Sequence, residues 1–262
     1  MERTLPPLHL SRSPLLLVLA QVRFSPILQM DKFIPAIQER LRGQGFPKFQ
    51  AAMQTTSIQV PGMSTVSQTP TVHWEFMDPE DNKSIVLGTE SIAFTVTHYS
   101  TFEEFREGLQ IALLTVHETV KLPLRTRIGL RYIDLVIPKE GKPVSDYVRP
   151  EILGLLQDKL PLHRLAYVSQ LLCESEIGKV ILRCTHQIGG SVLPPDLQLL
   201  RLTLNKPLFL NQEFCVLDFD HFTEEQADFD LASISTAFNN LHDVLDQSFR
   251  AAVTPEALKE WE

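Results

Sequence analysis

Four residues that could bind an anion lie close together at the start of the second half of the chain. They are Arg125, Arg127, Arg131 and Tyr132. Side chains alternate between the faces of a strand, so Arg127 and Arg131 are predicted to project from one face, with Arg125 if the strand extends that far. Arg23, in the first predicted strand, is the counterpart of Arg131. Such a row can hold a phosphate, a carboxylate or an acidic protein surface through bidentate hydrogen bonds. The alternative is a solvated sheet face on which these arginines pair with nearby Asp and Glu.

The motifs that create common active sites are absent from the sequence. It contains no GxxxxGK[ST] loop, no GxGxxG after a strand, no GxSxG and no HExxH. Each of these motifs creates a particular local backbone shape on which its chemistry depends. With 11 glycines against 18 prolines, the chain has few of the flexible loops that cradle phosphates. The sequence therefore favours a protein that is not an enzyme, and it indicates no catalytic residue and no cofactor.

No metal site is predicted from the eight histidines and three cysteines. No two histidines are four residues apart, and no CxxC pair occurs. An odd number of cysteines among apolar neighbours is typical of small buried side chains in a reducing compartment. The cysteines are Cys173, Cys184 and Cys215, and the histidines are His9, His73, His98, His117, His163, His186, His221 and His242.

The charge balance is acidic, with 24 Lys and Arg against 32 Asp and Glu and a formal charge of -8. This balance disfavours a nucleic-acid partner without excluding a local basic patch. Residues 78–81 are predicted to form an acidic turn. The longer stretch 218–230 precedes the last predicted helix, where carboxylates favour the helix dipole; an acidic edge for a partner is the alternative. The apolar run 14–20 lacks a cleavage site and is too short to span a membrane, so the predicted location is cytoplasmic.

Hydrophobic periodicity predicts the same order of elements twice. The continuous apolar run 15–24 is typical of a strand covered on both faces. Asp31 is predicted to cap the first helix, and a capping box at Ser100 and Glu103 to begin a long amphipathic one. Residues 1–123 are predicted to form strand 15–24, helix 31–41, strands around 55–60 and at 72–76, 84–88 and 91–98, and helix 100–121. Residues 124–262 are predicted to form strand 127–137, helix 148–156, strands 165–175, 179–186, 199–204 and 213–221, and helix 228–252.

The predicted fold class is α+β, with two similar β-α-β(3–4)-α halves, 1–123 and 124–262. Each half would pack an antiparallel sheet on a long helix, and the halves would pack as one unit. Two short matches support an internal duplication. They pair Val22-Arg23-Phe24 with Leu130-Arg131-Tyr132, and Val116-His117-Glu118 with Leu241-His242-Asp243.

Five segments, in order along nearly the whole chain, carry a family resemblance. They are PLLLVLAQVRFSP, VHWEF, HYSTFEEF, RIGLRYIDLVI and LHDVLDQSFRAAVTPEALKEW. The chain resembles a sporadically distributed prokaryotic family of uncharacterised proteins, in which Asn is more frequent where this chain has Asp134. The resemblance implies no activity, cofactor or catalytic residue. A patchy distribution is typical of defence-related gene modules, whose proteins often act by binding a partner.

Three hypotheses of function follow. The first is a non-enzymatic binding protein, an accessory, immunity or antitoxin-like component of a prokaryotic defence or toxin–antitoxin module, with a protein partner. The second is a small-molecule or lipid binder that holds its ligand between sheet and helix. The third is a nucleic-acid processing or sensing subunit that uses the faces of Arg23 and Arg131, with binding that depends on salt. Apolar residues expected to line the ligand site of the second hypothesis are Trp74, Phe76, Phe94 and Phe238.

Overall fold

The computed structural model describes residues 8, 10–54, 57–58, 66–67, 71–154, 164–198 and 200–262. The strands are β1 (Leu15–Phe24), β2 (Lys48–Gln54), β3 (Ser57–Ile58), β4 (Val66–Ser67), β5 (Thr71–Met77), β6 (Lys83–Leu87), β7 (Ser91–Val96), β8 (Leu124–Val136), β9 (Ala166–Ser175), β10 (Gly178–Ser191), β11 (Phe209–Thr223) and β12 (Ala227–Asp228). The α-helices are α1 (Ile34–Gly43), α2 (Phe102–Val120), α3 (Pro150–Leu153), α4 (Leu231–Ala252) and α5 (Pro255–Trp261). Helices beside a large antiparallel sheet confirm the α+β class.

Ten strands form one sheet, in the order β2-β5-β6-β7-β1-β8-β11-β10-β9, with β12 also paired to β8. Every pair in it is antiparallel. The two sheets expected from the sequence are therefore joined at the centre, where β1 pairs with β8. In the first half β7, the last strand, borders β1, and in the second half β11 and the two-residue β12 both pair with β8.

The three longest helices, α1, α2 and α4, cover one face of the sheet, here called the helix face. Alternate β1 residues Val18, Ala20 and Val22 point into this core and are fully buried. The four aromatic residues expected to line a ligand site are themselves core residues. The Phe94 ring packs closely against α2 at Gly108. A Cβ added at Gly108 would lie 2.7 Å from the Phe94 ring. The four aromatic core residues are Trp74, Phe76, Phe94 and Phe238.

The opposite face, here called the open face, is partly covered by the segment between β10 and β11. Its leucines pack on Leu16, Leu17 and Ile133 in a second, smaller core. The prediction of a strand at 199–204 is wrong for residues 200–204, which form no strand. Residue 199 lies outside the described residues. Leu202 is buried and Thr203 N–H donates to the Asp81 carbonyl at 2.7 Å, so the segment lies against the sheet instead of extending it.

Helix ends differ from the predictions by small shifts. Thr101, not Ser100, caps α2, because its Oγ1 accepts from Glu104 N–H at 3.2 Å. A 3-10 turn over Met30–Phe33 replaces the first turn of the predicted helix, and α1 has no side-chain cap.

The helix predicted at 148–156 is reduced to α3, since Val148 forms an isolated bridge with Val253. Gly154 follows α3 with φ +69°, and residues 155–156 lie outside the described part. Of the predicted strand 55–60, Ser57–Ile58 form β3, and residues 55–56 and 59–60 lie outside the described residues.

Candidate functional site

Arg23 and Arg127 lie directly opposite each other on β1 and β8. Arg127 lies 4.5 Å above the ring of Phe222 and donates to Gln21 Oε1 at 3.1 Å. Its guanidinium approaches the carboxylate of Asp220 at 3.5 Å. Burial lowers the pKa of Arg127, with the nearby positive charge of Arg23 acting in the same direction and Asp220 against both. Arg23 itself is exposed.

Space for the Arg127 guanidinium comes from Gly129, two residues along the same face. A Cβ at Gly129 would lie 2.6 Å from Arg127 Nη1. The glycine therefore allows the arginine side chain to lie flat along β8.

Arg131 is held by two carboxylates on the open face. It donates to Asp218 from Nε at 2.7 Å and from Nη2 at 2.8 Å. It also donates to Asp196 from Nη1 at 2.5 Å, and Arg183 reaches Asp218 at 3.2 Å. Burial would lower the pKa of Arg131, but the hydrogen bonds with Asp218 and Asp196 raise it overall. This is a partly buried ion-pair network of the kind that fixes side-chain geometry.

Arg125 lies on the other face of the sheet, and the expectation that it joins the row is wrong. The register passes from Arg23 opposite Arg127 to Phe24 opposite Arg125, so Thr126 is an extra residue, a β-bulge. Phe24 belongs to the core of the helix face, and Arg125 follows it there. The bulge therefore turns the first arginine away from the other two.

The bulge places Arg125 in a cavity of about 490 Å³ beside the start of α4. Only 7% of Arg125 is exposed. Its Nη1 donates to the main-chain carbonyl of Glu225 at 3.1 Å, and its Nη2 lies 3.7 Å from the Glu225 carboxylate. Arg125 Nε is buried with no hydrogen-bond partner among the described residues. The cavity is lined by Arg125, Glu176, Ile177, Thr223, Glu225, Ser233, Thr236, Ala237 and Asn240.

Tyr132 faces the helices and does not join the arginine row. Its hydroxyl lies 2.9 Å from His242 Nδ1 on α4, and its ring meets Tyr99 edge-on at 6.1 Å. Burial raises the pKa of the Tyr132 hydroxyl and lowers that of His242. His242 also stacks on Phe102 at 3.9 Å. Tyr132 is thus part of the packing between β8, α2 and α4.

The prediction that the cysteines are buried is confirmed for Cys184 and Cys215 but not for Cys173. Cys184 and Cys215, on neighbouring strands, have sulfur atoms 3.3 Å apart, and Cys173 is half-buried. Among the described residues no group of His, Cys, Asp or Glu is arranged to hold a metal ion. His9 and His163 lie outside the described residues.

The acidic clusters have separate local roles. Asp78 Oδ1 accepts from the N–H groups of Asn82 and Lys83 at 2.7 and 2.8 Å, which closes the predicted turn. Asp230 caps α4 by accepting from Ser233 N–H at 2.7 Å. Asp218 and Asp220 belong to the arginine network described above.

The outer edge of β9 is unpaired in the part of the chain that the structure describes. Val168 and Leu172 lie on the open face, opposite Thr185 and Ile181, and Leu171 lies on the helix face, opposite Leu182. Exposed fractions are 68% for Val168, 57% for Leu171 and 61% for Leu172. We call the exposed apolar residues at this end of the sheet the β9 patch; they are Leu165, Val168, Leu171, Leu172, Ile188, Leu208 and Phe209.

The sequence did carry a signal for this edge. Leu171 and Leu172 are consecutive, which is typical of a strand that is covered on both faces. The sequence carries no signal for Glu176 or Asn240, because both are ordinary surface residue types until the fold brings them to one cavity.

Comparisons with protein-family models, with curated proteins and with solved structures find no match to this chain. In the described residues, no helix combines the length and apolar character needed to cross a membrane.

Proposed function

We propose that the chain is a non-enzymatic binding protein that docks a protein partner by adding a partner strand to the outer edge of β9. The observation that carries this proposal is the β9 patch, where exposed apolar side chains flank an edge strand that has no partner on its outer side among the described strands. Unpaired N–H and C=O groups on such an edge are a template for another strand.

β9 lacks the side chains with which proteins often protect an edge strand. It has ten residues, no proline, no lysine and no arginine, and its one charged residue is Glu174 near its end. Both faces carry exposed leucine or valine, so water contacts apolar surface on either side of the edge. Exposed apolar side chains concentrated at one edge of a sheet are typical of interaction sites.

The chemistry of the edge defines the partner. An antiparallel or parallel strand added to β9 would place alternate side chains on Val168 and Leu172, so the partner segment is extended and apolar at alternate positions. Glu174 and Glu176 lie at the turn end, and the whole chain carries a net charge of -8. Basic residues flanking the apolar segment would complement these charges.

The wider setting follows from the family resemblance. We propose that the partner is another product of a prokaryotic defence or toxin–antitoxin module, in which this chain is the accessory, immunity or antitoxin-like component. The open face offers less to nucleic acid, since Arg127 and Arg131 already have carboxylate neighbours. A lipid site between sheet and helix is disfavoured by the core positions of Phe94 and Phe238.

We further propose that the halves 1–123 and 124–262 arose by duplication. The matched histidines make reciprocal contacts: His242 of α4 stacks on Phe102 at the start of α2, and His117 of α2 stacks at 5.0 Å on Phe229, just before α4. The shared strand order and these exchanged stacks support an approximate twofold relation about the β1–β8 pair.

The experiment is a tagged pull-down at low salt from the native organism, with nuclease treatment and mass spectrometry. The test variant is Val168→Lys with Leu172→Lys, since lysines protect natural edge strands. The matched control is Ile111→Lys with Leu114→Lys, two exposed apolar residues of α2 far from the edge.

We expect the unmodified chain and the α2 control to retain a stoichiometric protein partner that the β9 variant loses. Bound partner should also slow amide hydrogen exchange along residues 166–175. Retention by the β9 variant would overturn the edge as the docking site. Capture of nothing but the chain itself, or only of nuclease-sensitive material, would overturn the protein-binding function.

A further inference from the structure

We propose that the cavity at the start of α4 binds a small zwitterion, a molecule of amino acid to dipeptide size with one carboxylate and one ammonium group. The structure brings together there a buried arginine with an unused donor and two glutamates. This site is separate from the β9 patch and does not depend on the docking proposal.

The cavity has the dimensions of a ligand site. Its volume of about 490 Å³ falls within the roughly 300–1,000 Å³ typical of small-molecule pockets. Its walls come from three parts of the fold: Arg125 at the bulge of β8, Glu176 in the β9–β10 turn, and the first three turns of α4.

Arg125 supplies the site for the carboxylate. Burying a guanidinium is costly unless its donors are satisfied, yet Nε has no partner among the described residues. The Glu225 carboxylate, 3.7 Å from Nη2, is beyond hydrogen-bond distance, and the Glu225 side chain is 74% exposed. A ligand carboxylate that displaces the exposed Glu225 side chain can pair with the Arg125 guanidinium beside Nη2.

The two glutamates supply the site for the ammonium group. A simple anion would meet Glu176 and Glu225 in the same cavity, where repulsion opposes the attraction of Arg125. A ligand that also carries a cation turns this repulsion into attraction. Ser233 and Thr236 donate their hydroxyl protons to the main-chain carbonyls of Asp230 and Ala232, so their oxygen lone pairs remain for a ligand N–H.

The test measures binding of defined probes to the full chain. The probes are the standard amino acids and the glycyl dipeptides, with acetate and methylammonium as probes that carry one charge each. Thermal shift identifies binders and isothermal titration calorimetry gives their dissociation constants. Arg125→Gln removes the anion site, and Thr236→Trp fills the cavity from an exposed position on α4. Gln247→Trp is the matched control, because it is exposed on α4 and does not line the cavity.

We expect at least one zwitterionic probe to bind the unmodified chain and the Gln247→Trp variant equally. Thr236→Trp and Arg125→Gln should each weaken that binding about tenfold or more, a difference of ~1.4 kcal/mol. Acetate and methylammonium should not compete at equal concentration. Failure of every zwitterion to bind, competition by acetate alone, or unchanged binding to Thr236→Trp would overturn the proposal.

Discussion

Asp134 is a buried carboxyl group whose ionisation opposes folding. It lies on β8 opposite Leu15 and Leu217 and is 5% exposed. Burial raises its pKa from 3.8 to about 7, although the positive charge of Lys206 acts in the opposite direction. Asparagine has the same shape without the charge, so Asp134→Asn removes the cost of ionisation and keeps the packing.

The size of the effect follows from the two pKa values. Between 3.8 and about 7 the folded protein holds a proton that the unfolded chain has lost, so the free energy of unfolding falls as pH rises through this range. At ~1.4 kcal/mol per pKa unit, the ionised carboxylate destabilises the fold by about 4 kcal/mol above pH 7. We expect Asp134→Asn to be near wild type at pH 4 and more stable by up to about this amount at pH 8.

Chemical denaturation of both proteins across this pH range measures the difference. Asp196→Asn is the matched control, for which we expect a change of opposite sign in the free energy of unfolding. Hydrogen bonds with Arg131 lower the pKa of Asp196 against the effect of burial, so its substitution should destabilise at neutral pH. A constant difference between Asp134→Asn and wild type from pH 4 to pH 8 would refute the assignment of Asp134 as a buried, strained carboxylate.

Two further predictions concern the core. Gly108→Ala should destabilise the protein by about 1–3 kcal/mol in thermal denaturation, because the clash with Phe94 outweighs the ~1 kcal/mol gain in helix propensity; a stabilised variant would show that the core yields there. His221 is fully buried, and burial lowers its pKa below 6.5. The advantage of wild type over His221→Gln should therefore shrink as pH falls below 6.5, and parallel denaturation curves would contradict this.

Long, regular elements were predictable from the sequence because a helix or strand that buries a face needs apolar residues at its own period. The bounds of β1 agree with the prediction, and α2 and α4 lie where their stripes place them. Strand parity correctly put Arg127 and Arg131 on one face. It failed for Arg125 because a parity argument assumes uninterrupted pairing, and nothing in the local sequence marks the bulge at Thr126.

The candidate sites depend on contacts between distant parts of the chain, which one sequence does not specify. Arg131 meets Asp218 and Asp196, 87 and 65 residues away. Glu176 reaches the cavity only because β9 and β10 turn beside α4. The leucines between β10 and β11 alternate like a strand, but their partners are the open face and not a neighbouring edge, so the pattern predicted the wrong structure.

The central position of β1 has a consequence for synthesis on the ribosome. One edge of β1 pairs with β7 and the other with β8, which ends at Val136. Translation adds ~5–20 residues per second, so β8 is complete about 5–20 s after β1 has been synthesised. Until then the second edge of β1 has no partner strand. During this interval the apolar residues 15–20 of β1 lack their second neighbouring strand, so we expect chaperones to bind this segment of the protein first.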